Sequence, residues 1–249
     1  MLTRPAHQAA ALGQRIEQLG GELFPFPVME IIPPRDIAPA LALFQDLSRF
    51  DIAIFISANA ARIGLKIMSQ ESEIPNTLLF ATVGLATARA LEEQGHTADI
   101  IPDGQFDSEG LLATPQLQQI RGKKIVIIRG EGGRELLADT LRERGAEVSY
   151  AETYRRIIPQ TDPAPIIDGW KDNRIHAAII TSNQSLSNLM QMVGDEGKPF
   201  LLKTPLVVIS ERTREVAKEL GFQTEPMLAQ PPSDDAILDT LIHWATAEQ

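Results

Sequence analysis

The feature that most constrains this chain is that it repeats itself. Set against itself at an offset of 125 residues, Arg4 meets Arg129, Gly20 meets Gly145, Glu22 meets Glu147, Pro34 meets Pro159, Ala53 meets Ala178 and Ser57 meets Ser182. A slip of one residue pairs Gly84 with Ser210, Thr87 with Thr213 and Gly95 with Gly221, and the slip closes again at Ser108 and Ser233. One register held across such separated segments is the mark of a two-fold repeat. Two similar units follow from it.

Each copy reads as strands alternating with helices. In the second copy, residues 124–128 form an apolar run suited to a buried strand, closed by Gly130-Glu131-Gly132-Gly133. Residues 135–144 place Leu136, Leu137 and Leu141 on one helical face and stop at Gly145, a residue suited to the left-handed position after a helix. Further strands are expected at 148–154, 177–181, 206–209 and 222–224, and further helices at 186–193, 213–220 and 234–244. Strands spaced by helices of this length predict an α/β fold of two doubly wound, mostly parallel sheets. The segment 2–4 matches 127–129, but nothing precedes Met1 to match Lys124-Ile125-Val126. The first strand is therefore short, either because the start is placed late or because the strand lies at a sheet edge.

Composition closes off several function classes. With 249 residues, 43% apolar and 22% charged, the chain has material for one large domain or two small ones. It contains no cysteine, which excludes disulfides, zinc ribbons and a thiol nucleophile. A net charge of −10 argues against nucleic acid or an anionic membrane as partner. Residues 1–16 lack the apolar core of a secretory signal, and the uncharged stretch 74–88 is too short and too polar to span a bilayer. The expected location is the cytoplasm.

In doubly wound sheets, ligands bind outside the carboxyl ends of the strands. The residues expected there are Thr3-Arg4-Pro5, Ser57-Ala58-Asn59, Gly84-Leu85-Ala86-Thr87, Arg129-Gly130, Thr181-Ser182-Asn183 and Ser210-Glu211-Arg212-Thr213. Exposed N–H groups and the positive helix end make each turn a weak anion site, worth about 0.3–1 kcal/mol when exposed to solvent. Several such turns together suit a ligand with many carboxylates. Any one Ser, Thr or Asn at a helix start also serves as an ordinary cap, and Ser108-Glu109 and Ser233-Asp234 are assigned mainly to capping.

Standard catalytic signatures fail on inspection. Gly130-Glu131-Gly132-Gly133 is followed by Glu135 where a dinucleotide fingerprint wants its third glycine. There is no phosphate-binding P-loop and no G-x-S-x-G elbow. His7, His96, His176 and His243 lack metal-ligand spacing, so no metal site is expected. Tyr154, beside Arg155 and Arg156, is the polar aromatic at a chain crossing, with packing at the hinge as its plain alternative.

Taken in order, Thr3-Arg4-Pro5, Phe55-Ile56-Ser57-Ala58-Asn59, Val83-Gly84-Leu85-Ala86-Thr87-Ala88, Ser108-Glu109-Gly110-Leu111-Leu112, Ile128-Arg129-Gly130, Tyr154-Arg155-Arg156 and Thr181-Ser182-Asn183 resemble the uroporphyrinogen-III synthase family. These segments are short, and their specificity comes from order, spacing and the duplication. Ser210-Glu211-Arg212, standing where the first copy has Gly84-Leu85-Ala86, departs from the pattern with a bulkier, charged turn.

The resemblance implies a discontinuous lobe of residues 1–33 plus 160–249 and a continuous lobe of 36–157, joined by a two-stranded connection near 33–36 and 157–165, with the active site in the cleft. Pro33-Pro34 and Pro159 to Pro165 stiffen those crossings. Closure of the lobes over substrate is expected with such a connection. The implied reaction needs no cofactor. Hydroxymethylbilane, a linear tetrapyrrole with eight carboxylates, loses its terminal hydroxyl to give an azafulvene. The substituted α-carbon of ring D attacks it to form a spiro-pyrrolenine, which fragments and recloses to uroporphyrinogen III with ring D inverted.

By the same resemblance Tyr154 is the general acid, because a phenol is protonated at neutral pH and can donate. The substrate contacts would be Arg4, Ser57, Ala58, Asn59, Gly84, Thr87, Arg129, Gly130, Thr181, Ser182, Asn183, Ser210 and Thr213. The expected enzyme is a monomer, with the preceding or following pathway enzyme as a further partner. The rivals are a two-lobed small-molecule binder, which would release its ligand unchanged, and a nucleotide enzyme, which Glu135 disfavours.

Overall fold

The computed structural model describes residues 1–247. In chain order its elements are α1 (Ala6–Gln18), β1 (Glu30–Ile32), α2 (Ala38–Phe44), β2 (Ile52–Phe55), α3 (Leu65–Glu71), β3 (Leu79–Thr82), α4 (Leu85–Glu92), α5 (Ser108–Ala113), β4 (Lys124–Gly130), α6 (Leu136–Glu143), β5 (Glu147–Ile157), α7 (Ala164–Lys171), β6 (Ala178–Ile180), α8 (Asn183–Leu201), β7 (Leu206–Val208), α9 (Glu211–Glu219), β8 (Met227–Leu228) and α10 (Asp234–Ala247). The chain divides into two compact units, Met1–Glu30 with Ile157–Gln249, and Ile31–Arg156.

The unit of residues 31–156 is built on a five-stranded sheet in the order β1-β5-β4-β2-β3. Its central strands are parallel, with Phe55 level with both Thr82 and Ile128. Strands covered on both faces read as unbroken apolar runs, and Ile125 to Ile128 in β4 are all buried. Successive side chains of a strand point to opposite faces. Ala53, Phe55, Val126 and Ile128 accordingly join one core with Phe44, Leu65 and Met68. Ile52, Ile54, Ile125 and Ile127 join a second core with Leu111, Leu137 and Leu141.

The other unit follows the same rule on a smaller sheet, β6-β7-β8, all parallel. Ala178, Ile180, Leu206 and Val208 face one core with Leu186 and Leu189, while Ile179 and Val207 face another with Leu12 and Ile237. The fold class is thus α/β with mostly parallel sheets.

Three details differ from the expectations. Leu2 is fully buried and bridges in parallel to both Pro25 and Ile179, so the opening segment is flanked on both sides and does not lie at an edge. Residues 222–224 form no strand. Phe222 instead closes α9: its N–H donates to the Ala217 carbonyl at 3.2 Å, next to Gly221 at φ 88°, which is the Schellman arrangement with its apolar residue tucked into the core. The short strand comes later, at β8. The helix expected to end at Val193 continues to Leu201 as two helical stretches joined at Gly194, whose φ of 61° interrupts the first. Gly145 ends α6 as expected, with φ 88° and the Ala146 N–H donating to Leu141.

Candidate functional site

The residues expected to bind or react fall into two sets, one in each unit, and each set lies at the carboxyl ends of parallel strands. In the unit of residues 31–156, Ser57, Ala58 and Asn59 follow β2, Gly84 and Thr87 follow β3, and Arg129 and Gly130 end β4. Tyr154, in β5, stands level with Gly130.

Tyr154 joins these strand ends. It is 2% exposed, with its ring in the core. Its hydroxyl meets Ser57 Oγ at 3.0 Å and accepts from the Arg156 guanidinium at 3.3 Å. Gly130 makes room for the ring, since a Cβ there would stand 2.6 Å from Cε2 and 2.8 Å from Cζ. Ser57 Oγ also accepts the Ala60 N–H at 3.0 Å. Ala58 packs against the core, Asn59 opens the turn Ala60–Gly64, and Thr87 is buried in α4. Gly84 precedes α4 and offers no side chain to cap it.

Arg129 is 3% exposed and is held on several sides. It pairs with Glu135 at 3.2 Å, reaches Glu152 at 4.0 Å, and lies over the Tyr150 ring at 4.5 Å. The Tyr150 hydroxyl donates to Glu135 at 2.5 Å. That bond, reinforced by Arg129, holds the Glu135 carboxyl below its ordinary range. Burial, together with the same carboxylate, pushes the Tyr150 phenol up. Arg129, Tyr150, Arg134 and Ser108 line part of a cavity of about 290 Å³.

The second set has the same character. Thr3 and Arg4 end the opening segment, and Thr3 Oγ1 donates to the Ile179 carbonyl at 2.7 Å. Arg4 pairs with Asp234 at 2.5 Å. Thr181, Ser182 and Asn183 follow β6, and Ser210 and Thr213 follow β7. Ser182 caps α8 by accepting from Ser185 N, and Ser210 caps α9 by accepting from Thr213 N. Thr213 Oγ1 donates to Asn183 Oδ1 at 2.7 Å, which links the two turns.

The capping assignments divide. Ser233 does cap α10, accepting from Ala236 N at 3.1 Å. At α5 the cap is Asp107, not Ser108: its carboxylate accepts from Gly110 N at 2.8 Å. The Gln105 side chain and the Gly110 N–H hold that carboxyl below its usual range. Sequence reasoning also passed over Tyr150, Arg134 and Glu135 as neighbours of Arg129. The signal was the alternation of β5, which sets Tyr150 and Glu152 on the face of Arg129, while a register shift opposite Arg129 and Gly130 turns Tyr154 to the other face, into the core with Ala151. Among the described residues, no group of three or more His, Asp or Glu side chains is set to hold a metal. A larger cavity, about 480 Å³, lies at the opposite, amino ends of the strands, lined by Met1, Phe24, Ile175 and Ala177.

Two α/β units, each built on parallel strands with hydroxyls, amides and arginines at the strand ends, define the class as a doubly wound type of α/β protein. A family model described as uroporphyrinogen-III synthase HemD matches residues 10–238. The uroporphyrinogen-III synthase of Escherichia coli K12 is 31% identical over 97% of this chain and 98% of its own length. That of Salmonella typhimurium LT2 is 32% identical over the same shares. Among solved structures, a mutant uroporphyrinogen III synthase from the extremely thermophilic bacterium Thermus thermophilus superposes with a TM-score of 0.66 at 18% identity, covering 99% of both chains. The uroporphyrinogen-III synthetase of Helicobacter pylori 26695 gives 0.56 at 14%, covering 90% of this chain and 96% of that one. These two bear on the fold.

The chain belongs to the uroporphyrinogen-III synthase family. It is accordingly an enzyme, a cyclising lyase of tetrapyrrole and heme biosynthesis.

Proposed function

We propose that this enzyme converts hydroxymethylbilane to uroporphyrinogen III and water with inversion of ring D, and that Tyr154 donates the proton with which the terminal hydroxyl leaves. The observation that carries the assignment of Tyr154 is its hydroxyl, held between Ser57 and Arg156 at the strand ends of β2 and β4. The pyrrole nitrogens of the substrate supply the electron push, so the protein's task is to hold eight carboxylates and one folded conformation. Ser57, Ala58, Asn59, Gly84, Thr87, Arg129 and Gly130 in one unit, and Arg4, Thr181, Ser182, Asn183, Ser210 and Thr213 in the other, are the proposed contacts.

Several of these hydroxyls already cap their own helices, so the backbone N–H groups of the turns carry much of the binding. Departure of the hydroxyl as water gives the azafulvene. Attack by the substituted α-carbon of ring D gives the spiro-pyrrolenine, which fragments and recloses. We further place the enzyme in the cytoplasm as a monomer, with the neighbouring pathway enzymes as partners. Among the described residues no helix is long and apolar enough to cross a membrane.

Replacing Tyr154 with Phe tests the assignment, because it keeps the ring and deletes the proton. General acids contribute about 10²–10⁴-fold, so turnover of hydroxymethylbilane by Tyr154→Phe is expected to fall by about a hundredfold or more, with near-UV circular dichroism unchanged. Wild-type turnover in a folded variant removes Tyr154 from the reaction.

A further inference from the structure

We propose that Arg156 is a positioning residue for the ring-closing reaction: its guanidinium fixes the Tyr154 oxygen and stabilises the phenolate left when that hydroxyl protonates the departing group. This rests on Tyr154 being the proton donor.

A guanidinium only donates, so the 3.3 Å contact from Arg156 occupies one lone pair of the Tyr154 oxygen. Ser57 Oγ already accepts the Ala60 N–H, which leaves the serine's own proton available to the phenol oxygen at 3.0 Å. With both donors in place, the phenol oxygen acts as acceptor toward the protein, and its own proton is the one directed to substrate.

Charge points the same way. Among the described residues Arg156 forms no ion pair, whereas Arg129 and Arg4 are both matched to carboxylates. Arg156 shares a face of β5 with Tyr154, two residues on, and its guanidinium carbon lies 5.8 Å from the ring centroid. Arg156 is exposed and Tyr154 buried. An exposed cation without a carboxylate partner among the described residues thus stands against a buried phenol oxygen. Hydrogen bonds to an ionised oxygen are stronger than those to a neutral one, so this contact tightens as the proton leaves.

The step balances. The Tyr154 O–H bond breaks as its proton joins the leaving hydroxyl, the ring A carbon–oxygen bond breaks, and water departs. The resulting ring A cation is delocalised onto its pyrrole nitrogen. After attack, fragmentation and reclosure, the free α-carbon of ring D loses its proton to the phenolate, which restores Tyr154.

A double-mutant cycle on the full chain tests this, using Arg156→Gln, Tyr154→Phe and the pair, with hydroxymethylbilane as substrate. Arg156→Gln alone is expected to lower kcat by about tenfold or more while KM stays within about twofold. In the Tyr154→Phe background the same change should cost no further kcat, because there is no phenolate to stabilise. Arg156→Lys should recover most of the loss. A raised KM with unchanged kcat, in both backgrounds, would overturn the proposal and make Arg156 a carboxylate contact. Full additivity in kcat overturns it as well. Wild-type turnover in Tyr154→Phe defeats the reading beneath it, a result separable from failure at Arg156 alone.

Discussion

Gly130 shows how one residue serves both packing and chemistry. Its missing side chain is what allows the Tyr154 ring to lie against β4, within van der Waals reach of the backbone. Overpacking a well-filled core costs about 1–3 kcal/mol. Gly130→Ala is therefore expected to lose about that much stability in urea titration, and its turnover should fall because the phenol is displaced. A variant as stable and active as the wild type would show that the ring has room to move. The arginines at this scale were only half legible. Arg4 and Arg129 stand out in the sequence as bare cations after strands, but their partners Asp234 and Glu135 come from elsewhere in the fold or from the next turn. Tyr154 reads in the sequence as either hinge packing or proton donor, and its geometry accommodates both.

Among the elements, helix starts were legible as a type and less so by residue. Residues 107–110 contain two candidate caps, Asp107 and Ser108, and spacing alone does not choose between them. The structure gives the capping bond to Asp107. Removing such a cap costs about 0.5–2 kcal/mol, so Asp107→Ala should lower the urea midpoint measurably. Ser108→Ala, in the first turn, should change it by less than about 0.5 kcal/mol. The reverse order would return the cap to Ser108. The strands with unbroken apolar runs, β4 above all, are legible because burial on both faces leaves no polar residue to confuse the period. Phe222 misleads because an isolated apolar residue after a helix marks a hydrophobic cap as readily as a strand. The flanked position of Leu2 is hidden because parallel neighbours come from distant sequence.

For the whole molecule, the 125-residue offset in the sequence leads to an expectation of repeated α/β construction, and parallel strands are present in both units. What the offset could not show is that the sheets differ in size, with five strands in one unit and three named strands plus the bridged Leu2 segment in the other. Corresponding turns nonetheless behave alike: Ser57 and Ser182 each accept a backbone N–H from three residues on. Family membership and the strand-end turns converge on one claim, that this chain directs ring closure with inversion of ring D. The direct measurement is to give the purified protein fresh hydroxymethylbilane and separate the oxidised uroporphyrin isomers by chromatography. Left alone, that substrate closes without inversion to isomer I, which supplies an internal control. Mostly isomer III is the expected product. Isomer I alone, from well-folded protein, would contradict it.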